Sequence, residues 1–306
     1  MSWRLHLTNQ AITDLQIISG ESSLVVVWLR PNRAHFFDLA HGTQIGDARL
    51  EPPDHTDRQG EHWLTFISGL NAPNNSTLPI IRLASITIHT TDDGRMRLYH
   101  IGAADLHLDE NGREEKLNTD EATEFVSVAL DRFLGLIAAL DSAGKLHVFQ
   151  QHIRVGAFDM NVKLTADARA HVAISRGGGS IFVTDGSQLL LTDSSGQARH
   201  RTILNYYVRL MACSPNGRYL VTCDIDIGVI RVYDGTDLIP THQRFAIDLM
   251  ARATQLQLIA DLPPAFVAPN AIAIDDNGVI AFSMSGVICV TDLSQMDALP
   301  RPQTLL

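Results

Sequence analysis

Residues Cys213–Asp234 read CSPNGRYLVTCDIDIGVIRVYD. Runs rich in β-branched and aromatic residues are separated by Ser214-Pro215-Asn216-Gly217 and by Asp224-Ile225-Asp226. Asn, Asp, Pro and Gly supply the backbone angles and local hydrogen bonds that tight turns need, whereas Val, Ile, Tyr and Thr suit a pleated surface. The stretch therefore predicts three short antiparallel strands joined by two hairpin turns, the last strand ending in Tyr233-Asp234.

The same unit recurs along the chain. Strands of similar character end the segments Ala34–Asp38 (AHFFD), Met96–His100 (MRLYH), Leu146–Gln150 (LHVFQ), Leu189–Asp193 (LLLTD), Ile230–Asp234 (IRVYD) and Ile288–Asp292 (ICVTD). In four of the six, a second β-rich run precedes across a polar turn: Ile80–Thr90, Phe133–Leu140, Tyr219–Cys223 and Val279–Met284. A third run lies one turn earlier at Val208–Cys213, Ile272–Ile274 and His171–Ile174. The marker strands end 62, 50, 43, 41 and 58 positions apart, which brackets the roughly 40–45 residues of a four-stranded blade. A lone meander cannot bury both faces, so radial packing of several meanders is expected.

The expected fold is thus an all-β propeller of four-stranded antiparallel blades in a single domain over residues 1–306, with six blades favoured and seven as the alternative. The blades are expected at about 11–50, 62–117, 124–160, 170–204, 207–240 and 269–304, the ring being closed by a strand at 3–8. Gly177-Gly178-Gly179 occupies the register of Ser214–Gly217 and reads as a hairpin turn. It is not a phosphate loop, because no helix with Lys-Ser/Thr follows.

These residues resemble the WD-repeat family. Ser214-Pro215-Asn216-Gly217 is similar to that family's S-P-D-G turn, Asp224–Gly228 to its D-x-x-G turn, and Val232-Tyr233-Asp234 to its strand ending in Trp-Asp. The chain has no Trp-Asp and no Gly-His dipeptide, so the family's His, Asp, Ser/Thr and Trp hydrogen-bond network does not carry over residue by residue. The resemblance implies a rigid disc whose faces and central channel present loops to partners, usually other proteins.

Composition narrows the functional classes. A net charge of −10 with Lys only at 116, 145 and 163 argues against nucleic acid, whose binding rests on Lys and Arg displacing counterions. Cys213, Cys223 and Cys289 are odd in number and sit in apolar runs, as expected of buried thiols in a reducing compartment. The longest apolar runs, Leu24–Leu29 and Leu134–Leu140, are far shorter than the roughly 20 residues of a spanning helix. No membrane partner and a cytoplasmic location are expected.

Two stretches depart from the repeat. Thr241–Leu262 follows a helical period, with Phe245, Leu249, Ala253, Leu256 and Ala260 in one stripe. Arg244, Asp248 and Arg252 form an i,i+4 ladder opposite, and Pro263-Pro264 ends the segment, so one helical insertion is expected near 243–261. Residues 105–124 carry Asp105, Asp109, Glu110, Glu114, Glu115, Asp120, Glu121 and Glu124 against Arg113 and Lys116. The segment is expected as a solvated loop outside the strands that steers a partner with a basic surface. It lacks the full alternation of an oxygen-ligand calcium loop. The polar, proline-containing segments Glu51–Gly60 and Asn71–Pro79 are further loop candidates.

No H-E-x-x-H, C-x-x-C or G-x-S-x-G arrangement is present, so neither a zinc site nor a serine nucleophile has local support, and no cofactor is expected. His35, His89, His100, His107 and His147 fall on or beside strands and read as packed or solvent-facing side chains. The expected function is a non-catalytic protein-interaction scaffold in a larger complex, with Asp109, Glu110, Glu114, Glu115, Glu121, Arg244, Asp248 and Arg252 as partner-binding candidates. The alternative is a metal-dependent hydrolase or lactonase whose acidic ligands converge in a central channel.

Overall fold

A computed structural model describes residues 2–7, 12–18, 23–29, 33–49, 80–83, 86–90, 96–101, 105–110, 113–117, 124–131, 134–162, 164, 170–256 and 268–301. Strand β1 (Trp3–His6) precedes a first meander, β2 (Ile12–Ile18), β3 (Leu24–Leu29), β4 (Arg33–Asp38) and β5 (Gln44–Arg49). The second sheet comprises β6 (Ile80–Leu83), β7 (Ile86–Thr90), β8 (Met96–Ile101), β9 (Asp105–Glu110) and β10 (Arg113–Lys116). The third holds β11 (Phe125–Leu130), β12 (Leu136–Asp141), β13 (Lys145–Gln150) and β14 (Ile153–Asp159). The fourth holds β15 (His171–Ile174), β16 (Ile181–Thr184), β17 (Gln188–Thr192) and β18 (Ala198–Ile203).

The fifth sheet contains β19 (Val208–Cys213), β20 (Tyr219–Asp224), β21 (Val229–Asp234) and β22 (Pro240–Phe245). The chain then forms helix α1 (Ala246–Arg252) and the two-residue β23 (Thr254–Gln255). A sixth sheet follows with β24 (Ala271–Ile274), β25 (Val279–Met284) and β26 (Val287–Asp292). The segment β27 (Asp297–Ala298) returns to the edge of β22. Strand β1 pairs antiparallel with β26, Trp3 opposite Val290 and His6 opposite Val287, and β23 runs parallel along its other side.

All meander pairings are antiparallel, and the all-β arrangement is propeller-like. First strands of neighbouring sheets touch: β11 meets β15, β15 meets β19, β19 meets β24 and β24 meets β2. In addition, β2 meets β6 and β7 meets β11. The central strands are buried on both faces, which is why β12 (LIAALD) reads as an unbroken apolar run. Alternation then sends successive residues to opposite neighbours. In β20, Val221 and Cys223 join Ile280 and Phe282 of the sixth sheet, whereas Leu220 joins Phe182 and Leu189 of the fourth.

Turn chemistry repeats with the strands. After the first strand of sheets four, five and six, the side-chain oxygens of Ser175, Ser214 and Asp275 accept the amides of Ser180, Tyr219 and Val279. These turns are also tied to one another. Gly177 N donates to Asp131 Oδ2 at 2.7 Å, Arg176 N to Pro215 O at 2.7 Å, and Asn216 N to Asp276 Oδ1 at 2.8 Å. The triple glycine is the hairpin turn expected, with Gly178 at φ +64°, a conformation that costs residues bearing a Cβ. The outer strands β5, β14, β18 and β22 each carry one extra residue, at Ile45, Val155, Arg199 and Thr241. Such bulges bend and twist an edge.

Two expectations are corrected. The helix covers only Ala246–Arg252, because Thr241–Phe245 extends β22 and pairs with β21. Leu249 and Ala253 of the anticipated stripe are buried, but Phe245 and Leu256 are exposed; residues 257–261 lie outside the described residues. A seven-residue helix is marginal alone, and α1 is held by burial of Ala246, Leu249 and Met250 and by Arg4, which donates to Met250 O at its last turn. The acidic segment likewise contains a strand pair, β9 with β10, over 105–110 and 113–116. Leu106, Leu108 and Leu117 are buried against Phe125, Ile137 and Phe149. Glu51–Gly60 and Asn71–Pro79 lie outside the described residues. Among the described residues no helix is long and apolar enough to cross a membrane, and all three cysteines are free.

Candidate functional site

The link between the fourth and fifth sheets, residues 204–207, is tied down from both sides. Leu204 N and Val208 N donate to Ser187 O and Gly186 O in the β16–β17 turn, and Ile225 N in the β20–β21 turn donates to Tyr207 O. Held open between the two turns is a cleft of about 590 Å³. Tyr206, Tyr207, Asp224, Asp226, Ile227 and Arg231 line it together with Leu204.

A buried carboxylate organises its floor. Asp224 is 1 % exposed and accepts the amides of Ile227 and Val229 through Oδ1, so it shapes its own turn. Its Oδ2 receives Arg231 Nη1 at 3.0 Å. The Arg231 guanidinium lies 3.9 Å from the Tyr206 ring centroid, a cation–π geometry. The Tyr206 hydroxyl in turn bonds Thr222 Oγ1 and the Tyr233 hydroxyl. Burial pushes both tyrosine hydroxyls above their ordinary range, so they stay neutral.

The same device recurs in neighbouring sheets. Asp141 accepts the amides of Ala143 and Lys145 and bonds His147 at 2.7 Å. In the fourth sheet, burial of Asp185 opposes its charge, but hydrogen bonds from Gln188 and Ser187 outweigh this and hold the carboxyl below its ordinary value. The turn carboxylates are therefore structural in all three sheets, and the fifth sheet differs by the large apolar surface around its turn. Tyr207 is 60 % exposed and Ile227 47 %, while Ile203, next to Leu204, reaches 83 %. A desolvable rim of Tyr and Ile around a fixed Arg is the composition that concentrates binding energy at protein interfaces.

The anticipated binding residues lie elsewhere. Asp109 and Glu110 are in β9, Glu114 and Glu115 in β10, and Glu121 lies outside the described residues. Glu110 and Glu115 share a cavity of about 160 Å³ with Leu108, Arg113 and His152. Glu110 also accepts from Gln151 Nε2 at 3.2 Å. Arg244, Asp248 and Arg252 do not form one helical ladder, because Arg244 sits in β22 and donates to Gln295 O and Asp297 Oδ1. Asp248 and Arg252 are exposed on α1. Among the described residues no three His, Cys, Asp or Glu side chains gather as a metal-binding group.

The cleft was hidden from sequence reasoning because its residues come from separate turns and a link with no common spacing. One signal was available: Tyr206-Tyr207 is an aromatic pair between two strands, outside the marker positions.

No protein-family model matches the chain, and no curated protein does. Among solved structures, it is similar to Chaetomium thermophilum Raptor, with a TM-score of 0.55 at 10 % sequence identity. The match covers 97 % of this chain and 25 % of the Raptor chain. The chain thus spans about a quarter of that protein's length, and the likeness at this identity concerns the fold alone.

Proposed function

We propose that the chain is a single-domain, six-bladed, WD-repeat-like β-propeller and serves as a non-catalytic protein-interaction scaffold within a larger assembly. The six-blade reading is supported by six meanders that touch in succession, through their first strands at every seam but that between the second and third sheets, where β7 meets β11, and by β1 lying along the last sheet. On this reading β1 is the closing strand of the ring and each sheet is one blade.

The scaffold reading is carried by the cleft between the fourth and fifth blades. Its exposed Ile227 stands on the turn braced by Asp224, and its exposed Tyr207 lies in the link bonded to that turn through Ile225 N, with Ile203 next to the lining residue Leu204. A preorganised apolar surface loses little conformational entropy when a partner covers it. The test is capture from native extract with the tagged chain, at low and moderate salt, with partners identified by mass spectrometry. A stoichiometric partner is expected to bind the wild type and to be lost from a Tyr207→Ala/Ile227→Ser variant whose thermal unfolding is unchanged. Equal capture by both proteins would refute the cleft as the contact, and capture of nothing would refute the scaffold reading.

A further inference from the structure

The molecule already adds strands to its own outer edges. In the fifth sheet, β27 lies antiparallel along β22, with Ala298 and Asp297 opposite His242 and Gln243, the residues that follow the Thr241 bulge. Leu299 N donates to the bulge carbonyl of Thr241, and Arg301 reaches Asp234 at the far end of β21, 2.7 Å away. In the sixth sheet, β23 covers the edge of β1.

The outer edge of β14 has the same construction but no partner strand among the described residues. Its bulge falls at Val155, so Gly156 and Ala157 hold the positions of His242 and Gln243. Its side chains are unusually apolar for an edge: Ile153 is 62 % exposed and Val155 53 %. Natural edges are normally blunted by charge or proline. The comparable edge β18 carries Arg199, His200 and Arg201, with both arginines engaged by neighbouring groups. At the start of β14 an acidic counterpart of Asp234 is supplied by the second sheet. Glu110 contacts Gln151 and His152, immediately before Ile153, and Glu115 lines the same small cavity.

The geometry points to β14 as a strand-addition site for an extended segment of a partner protein. That segment runs antiparallel opposite Gly156 and Ala157 and presents apolar side chains to Ile153 and Val155. On its C-terminal side it carries a Lys or Arg that meets Glu110 and Glu115, as Arg301 meets Asp234. Backbone pairing supplies affinity in this mode, and the alternating side chains and terminal charge supply selectivity. The inference rests on the interaction reading but uses a surface separate from the cleft.

The test is display selection of random twelve-residue peptides on the intact chain, with an Ile153→Lys/Val155→Lys variant as counter-selection. Enriched peptides are expected to alternate apolar residues and to carry Lys or Arg toward the C-terminus. Their synthetic versions should slow amide exchange across residues 153–159, lose about tenfold or more in affinity on Val155→Lys, and weaken on Glu115→Gln. The Tyr207→Ala/Ile227→Ser variant should bind them unchanged, which separates this site from the cleft. Failure to enrich such peptides, or binding that leaves exchange at 153–159 unaltered, overturns the proposal. Concentration-dependent dimerisation that protects the same amides overturns it in favour of a second copy of the chain.

Discussion

Replacing Asp224 by alanine tests whether the carboxylate under the cleft is the structural keystone its bonds imply. The substitution strands two backbone donors, Ile227 N and Val229 N, previously at 2.9 and 3.3 Å from Oδ1. Each lost bond to a buried group costs about 1 kcal/mol or somewhat more. It also removes the partner of Arg231. Breaking a fully buried pair costs about 3–5 kcal/mol, but the Arg231 side chain is 17 % exposed and keeps its stack on Tyr206, so about 1–2 kcal/mol is the fitting share here. The expected loss is therefore about 3–4 kcal/mol. Asp224→Asn retains an oxygen acceptor and should lose only about 1–2 kcal/mol. Urea unfolding followed by circular dichroism reads the difference. With a slope of about 3 kcal/mol per molar, the Asp224→Ala midpoint falls by about 1–1.3 M and the Asp224→Asn midpoint by about 0.3–0.7 M. Asp226→Ala, at an exposed position of the same turn, is the control and should stay near wild type. Equal midpoints for Asp224→Ala and Asp226→Ala would show that the turn holds without its carboxylate.

Three further outcomes are expected. Gly235→Ala should destabilise by about 3 kcal/mol or more, since the added Cβ would fall 1.8 Å from the Gly217 carbonyl oxygen; a thermal midpoint matching wild type contradicts this. Stability should decline as pH falls below about 4, because hydrogen bonds outweigh burial to hold Asp185 and Asp234 below 3.8, and the Ser195 hydroxyl does the same for Asp193. Their contribution is complete above the unfolded-state value and vanishes as each carboxylate takes up its proton in the fold. Urea midpoints flat from pH 6 to pH 3 would count against it. Burial pushes the thiols of Cys223 and Cys289 far up and both side chains are fully buried, so a thiol reagent at pH 8 should label these two only on unfolding; rapid native labelling of either would contradict their burial.

Legibility in the sequence followed locality. Val208–Cys213, Tyr219–Asp224 and Val229–Asp234 fall where the turns at Ser214 and Asp224 imply, because turn residues and strand alternation are read within a few positions. The acidic segment was misread because its charges outnumber its apolar residues. Yet Leu106 and Leu108 sit at a period of two, and burial of alternate positions is enough to pair β9 with β8 and β10. The helical period around Phe245 failed for the converse reason: tertiary pairing with β21 outweighs intrinsic preference over Thr241–Phe245. The WD-repeat hydrogen-bond network was set aside for want of its residue types. A polar chain nevertheless links Asp224, Arg231, Tyr206, Tyr233 and Thr222, built from groups that no dipeptide search would find.

Strand β1 has a consequence for how the molecule is made and unmade. Trp3–His6 can settle on β26 only after Val287–Asp292 exists, so its side of the last sheet waits for a segment more than 280 positions later in the sequence. Because loop-closure entropy grows only slowly with length, this latch is thermodynamically inexpensive while being kinetically late. Trp3 and Leu5 are packed with Val25, Phe37, Ile288 and Val290. Withdrawing those few residues would therefore uncover apolar side chains of the first and last sheets together.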